Sequence, residues 1–260
     1  MAKPGIEELI AGADAGAYGL PTWLRTALEA RDRLTAAASE ASARLNEHRG
    51  NLQAVHNRTV REAIDRARLN KSFHGITDAV DEVEHEQQRV AVHARVIGQA
   101  AETAGAELRS LLDSRADDLI RETLQPALKE TMTQAREALA ALEGIEIDAS
   151  VIITAGVEKH RKAWKALTQA AQRYEAIRRA QDVIHRQRRA KPQDPALMLF
   201  KDYRDHRTPS VYSAADGFPK AQPQKLVEII SAGWEPWVPT LAEQNDRARY
   251  YVERKAAAVS

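Results

Sequence analysis

Between Trp23 and about Asn70 the chain places apolar residues at Leu24, Leu28, Leu34, Ala38, Ala41, Leu45, Leu52, Val55 and Ile64, mostly on steps of three and four, with one glycine and no proline among them. That spacing predicts a long amphipathic helix with a narrow, alanine-rich seam, opened by Pro21 and Thr22. The stretch NKSFHGIT, residues 70–77, predicts a turn, with Gly75 as breaker and Thr77 or Asp78 as the next cap. The pattern then resumes through Val80, Val83, Val90, Ile97, Ala101, Leu108, Leu119, Leu128, Met132, Leu139 and Leu142. Pro126 falls inside it, and a kink or break is expected near residues 122–125, because an interior proline loses a hydrogen bond and clashes with the preceding turn.

Gly144 ends this stretch and Asp148 offers a cap for a third helix over about Ala149–Arg189. Ile153, Val157, His160, Trp164, Leu167, Ala171 and Tyr174 form its stripe, continued by Ile177 and Ile184. Beyond Lys191 the pattern changes: Pro192, Pro195, Pro209, Pro219 and Pro223 interrupt regular helix, and Phe200, Tyr203, Tyr212 and Phe218 raise the aromatic content. A short helix is expected at about Gln224–Ser231, then GWEPWVPT at 233–240, then a last helix. Thr240 with Glu243 three positions on forms a capping box for it.

The expectation is thus an all-α chain, an elongated bundle of long antiparallel coiled-coil-like helices with a small irregular proline- and aromatic-rich C-terminal module. Its parts read as an N-terminal arm at 1–20, a long-helix body at 21–191, and the C-terminal module with two short helices at 192–260. Composition agrees, since aromatics make up only 5% of the 260 residues and charged residues 29%. The chain has no cysteine, which removes disulfides, thiolate metal sites and thiol chemistry. Apolar runs are too short for a membrane span, and Glu7 and Glu8 stand where a secretory signal would be apolar, so a soluble, intracellular protein with no membrane partner is expected.

The formal net charge of +1 hides segregation. Residues 1–75 hold 11 basic and 9 acidic groups, 76–148 hold 7 and 16, 149–191 hold 11 and 3, and 192–260 hold 9 and 9. Blocks of opposite sign point to partners within one chain or between chains. One arrangement is antiparallel pairing about a turn near residue 146, which sets position 175 opposite about 117 and brings the arginines toward Glu102, Glu107, Asp113, Asp117 and Asp118. The other is an anionic partner, with Arg178, Arg179, Arg186, Arg188 and Arg189 as contacts and nucleic acid as the alternative function through the basic helix 159–191.

Motifs for catalysis are missing together: there is no phosphate loop, nucleophile elbow or paired zinc-ligand motif, and Gly12, Gly16 and Gly19 do not form a dinucleotide fingerprint. Glu82 and His85 supply one Glu-x-x-His pair, where a dimetal bundle needs two. No cofactor, metal or small-molecule substrate is therefore expected, and the sequence argues for a non-enzymatic structural or assembly protein, as a homo-oligomer or in a larger assembly of protein subunits. Trp234, Trp237, Tyr250 and Tyr251 are the candidate protein contacts, because such side chains dominate interface hot spots. In composition the chain resembles proteins of high-GC actinobacteria and their tailed phages, and it is similar in style to coiled-coil virion and scaffolding proteins. That resemblance implies assembly work, cytoplasmic or within a virion, and assigns no residue a role.

Overall fold

The structure is a computed structural model that describes residues 5–143, 145, 149–154, 156–187, 199–201 and 223–257. The described elements are helices: α1 (Ile6–Asp14), α2 (Thr22–Arg68), α3 (Asp78–Ser114), α4 (Ala116–Leu119), a π-helical turn (Ile120–Leu124), α5 (Gln125–Ala140), α6 (Ala149–Thr154), α7 (Glu158–Gln187), α8 (Pro223–Ser231) and α9 (Leu241–Ala257). The chain is all-α. It divides into two compact units, Trp23–Ser110 and Met1–Thr22 with Leu111–Ser260. This partition differs from the expected arm, body and module: the N-terminal residues belong with the C-terminal half, and the expected body is split at residue 110.

The unit Trp23–Ser110 is a hairpin in which α2 and α3 pack against each other. Among the partly covered positions of α3, Val80, Val83, Gln87, Val90, Ala94, Ile97, Ala101 and Ala104 fall on alternating steps of three and four, with Glu86, Ala91, Gly98, Ala100 and Gly105 partly covered beside them. That 3.5-residue repeat is the seam of a two-stranded coiled coil. The seam of α2 admits His48 and Thr59 among its apolar positions. Asn70, in the left-handed region at φ 53°, closes α2, with the Lys71 amide donating to the Arg66 carbonyl and the Asn70 amide to that of Ala67. Arg66 then holds the turn, its guanidinium donating to the carbonyls of Ser72 (3.1 Å) and His74 (3.2 Å) and to Glu62.

In the other unit, α7 is the central helix: α5 and α1 both pack on it, and α6 and α8 touch it as well. From Tyr174 to His185 it is buried over most of its circumference, including Ile177, Ala180, Val183 and Ile184. The N-terminal helix α1 contributes Leu9 to this core, and the buried Tyr18 hydroxyl donates to the Leu9 carbonyl at 2.8 Å. Gly12 leaves the space that the Tyr18 ring occupies, so two of the residues in the glycine-bearing N-terminal stretch serve one packing contact.

One sequence expectation takes a more definite form here, and two need correction. The Pro126 break takes the form of a π turn at Ile120–Leu124, directly after which Pro126 sits in the first turn of α5. The third helix is interrupted: Gly156, at φ +71°, separates α6 from α7, a conformation that side chains with a Cβ resist. That interruption lengthens the connection, so α5 and α7 pair about a point near residue 153, as the 2.9 Å bond from Arg173 to Gln134 fixes, and not near 146. The acidic residues expected opposite the arginine cluster are displaced accordingly. Asp118 pairs with Arg115 and Arg121, and Asp117 accepts the Leu241 amide at the start of α9.

Candidate functional site

The GWEPWVPT segment is built onto α7 and α5 by local rules followed by tertiary bonds. Gly233, at φ +71°, ends α8: its amide donates to the Ile230 carbonyl and the Trp234 amide to that of Ile229. In this closing motif the residue after glycine packs back on the helix, and Trp234 and Ile229 are both buried. The Trp234 indole meets the Phe200 ring edge-on, with centroids 4.8 Å apart. Trp234 is 7% exposed, so its expected role as a protein contact gives way to one as a core side chain. The reason is area: alanine-rich seams bury little, and a tryptophan supplies on the order of 150–250 Å².

Phe200 and Pro236 face each other as an isolated antiparallel bridge. The flanking bonds run from the Lys201 amide to the Glu235 carbonyl and from the Trp237 amide to the Leu199 carbonyl, each 3.2 Å. Phe200 and Pro236 are therefore the pair that exchanges no hydrogen bond, the position at which a proline leaves no gap in a ladder. Lys201 and Glu235 add an ion pair across it.

Arg178 holds this bridge to α7. It is 1% exposed, and its guanidinium donates to the carbonyls of Trp237 (2.6 Å) and Leu199 (2.8 Å) and to Gln181 (2.7 Å), while lying 4.9 Å from the Tyr174 ring centroid. The forked donor geometry of arginine suits two carbonyls on adjacent segments, and burial without such acceptors would be costly. Arg178 was expected to meet an anionic partner; instead its charge is spent on main-chain oxygens inside the protein. A polar row continues along α7 through Gln181 and His185, and the Gln244 amide of α9 reaches both the His185 Nε2 (3.3 Å) and the Pro239 carbonyl (3.4 Å).

The remaining anchor is the start of α9. The Glu243 amide donates to the Thr240 hydroxyl (3.2 Å) and the Thr240 amide to the Glu243 carboxylate (2.7 Å), which is the capping box read from sequence. Gln125 of α5 extends it by donating to that carboxylate and to the Val238 carbonyl, both at 3.1 Å.

The other predicted residues scatter. Trp237 is partly exposed, and Tyr250 is 45% exposed with the Arg247 guanidinium 5.2 Å from its ring centroid. Arg179 and Arg186 are exposed but ion-paired one turn back, with Glu175 and Asp182. Burial holds the Asp182 carboxyl above its ordinary range, against the lowering effect of Arg186. Arg188, Arg189 and the Tyr251 side chain lie outside the described residues.

No family model, curated protein or solved structure matches this chain. Among the described residues no helix is long and apolar enough to cross a membrane, and no group of three metal-ligating side chains comes together. What sequence reasoning missed is not the hairpin turn but the apolar surface it presents: Leu69 is 64% exposed and Phe73 53%, on a backbone fixed by Arg66. The signal was present in NKSFHGIT, a turn carrying a phenylalanine that no helix stripe claims.

Proposed function

We propose that this chain is a non-enzymatic structural or assembly protein that works through protein–protein contacts, and that the hairpin turn is one of its contact surfaces. The observation that carries this reading is the pair of exposed apolar side chains, Leu69 and Phe73, on an ordered turn. Side chains presented from a fixed backbone lose less entropy on association, which favours them as contact anchors. The concavity beside them, about 690 Å³ and lined by Arg58, Arg61, Glu62 and Asp65 among others, supplies a polar rim of both signs around that apolar centre. A homo-oligomer or a larger assembly, as in a scaffold or virion, is the context such a surface suits.

The nucleic-acid alternative receives less support. Of the five arginines on which it rested, Arg178 is buried and Arg179 and Arg186 are ion-paired. The test of the assembly reading is light scattering on the full chain and on a Leu69→Ser/Phe73→Ser variant over a range of concentration. The expected result is a mass above the 28.9 kDa of one chain, falling toward it in the variant. A full chain that stays monomeric throughout would refute self-association through the turn.

A further inference from the structure

A groove of about 510 Å³ runs between α5 and the segment 235–238. On the α5 side it is lined by Lys129, Met132 and Arg136, whose i, i+3, i+7 spacing sets them on one face of the helix. Pro236, Trp237 and Val238 line the other side. Met132, Pro236 and Val238 are buried and Trp237 is partly exposed, so the floor is apolar with an indole at its edge.

The charges around this floor are not balanced. Glu235 is taken by Lys201, and Glu243 by the cap of α9 and by Gln125. Lys129 and Arg136 are exposed and make no ion pair among the described residues. They stand seven residues apart, about 10 Å along the helix axis, one on each side of Met132. A single small anion cannot meet both cations and still cover the apolar floor. An extended peptide can, since residues two apart point to the same side at about 3.3 Å rise per residue.

We infer that this groove docks an acidic segment of a partner protein, seating one large apolar side chain against Met132 and Trp237 between two carboxylates that meet Lys129 and Arg136. Apolar anchor and flanking charges divide the work, the first giving affinity and the second register and orientation. The site is independent of the hairpin turn, so either proposal can fail without the other.

The test uses the full chain and three short synthetic peptides containing Glu-Ser-Leu-Ser-Glu, Lys-Ser-Leu-Ser-Lys or Glu-Ser-Ser-Ser-Glu. The readout is the Trp237 indole N–H resonance, assigned by its loss in Trp237→Phe. Only the first peptide should shift it at low ionic strength; added salt should weaken the effect, and Lys129→Glu/Arg136→Glu should weaken it by about tenfold or more. Both substitutions are on exposed positions, and the Leu69→Ser/Phe73→Ser variant should titrate like the parent. No shift with the first peptide, equal shifts with all three, or undiminished binding to the double variant would overturn the proposal. So would self-association of the full chain that Arg136→Glu abolishes, which would make the occupant a second copy.

Discussion

Replacing Arg178 with methionine tests whether one buried guanidinium fastens the C-terminal segment. Methionine keeps much of the length and apolar stem, and removes three donated hydrogen bonds. The Leu199 carbonyl retains the Trp237 amide as donor, whereas the Trp237 carbonyl loses the 2.6 Å bond described for it. Leaving this part-buried acceptor unserved costs up to about 1–3 kcal/mol, and loss of the contact with the Tyr174 ring adds to this. Relief from burying a charge offsets part of it, so a net cost of about 1–3 kcal/mol is expected. Because the lost bonds fall on one bridge, the cost should be local. Hydrogen exchange at the Lys201 and Trp237 amides should quicken by about 5- to 150-fold, with amides of α2 and α3 unchanged. Arg178→Lys should fall between parent and methionine variant, since one ammonium cannot fork to two carbonyls at once. Unchanged exchange at those two amides, or equal acceleration throughout the hairpin, would refute the fastening role.

Three further predictions concern local devices. Thr240→Ala opens the capping box and should cost about 1 kcal/mol in denaturant unfolding, with the loss of protection centred on the first turn of α9. Burial holds the Tyr18 phenol well above its ordinary value near 10, so as pH rises past about 10 the unfolded chain ionises while the folded one resists, and stability falls. Tyr18→Phe should flatten that alkaline decline in thermal melts while losing the bond to Leu9, and a decline of unchanged steepness would assign it elsewhere. Gly98 and Gly105 lie inside α3, where an added Cβ would meet nothing within 4 Å. Gly98→Ala and Gly105→Ala should each stabilise the hairpin by about 0.5–1 kcal/mol, read as a rise in melting temperature, and a fall would mean that another surface needs that space.

Much of the local structure was legible because it is decided within a few residues. The Thr240–Glu243 box, the turn after Asn70 and the proline-opened α8 depend on contacts three to five residues apart, and the seam of α3 is a repeat that needs no partner to be recognised. Breaks were harder. Gly156 ends α6 within what the side-chain stripe presents as one helix, because periodicity counts positions and not dihedral angles. The π turn absorbs the residue offset ahead of Pro126, an adjustment set by the packing of Ile120 and Leu124 in the core.

The sequence by itself determined an all-helical chain, its main turns and caps, and a C-terminal segment too rich in proline and tryptophan to be helix throughout. Only the tertiary structure decided what the charges and indoles do. Arg178 and Arg179 are neighbours in a basic run, yet one is enclosed by carbonyls from residues 199 and 237 while the other faces outward beside Glu175. Trp234 is buried against Phe200 while Trp237 edges a groove. Each outcome depends on which distant segment arrives opposite the side chain. An arginine or a tryptophan carries both a long apolar body and polar donors, so its own chemistry permits either fate. The choice is made when the bridge of residues 199–201 with 235–237 brings its carbonyls to α7.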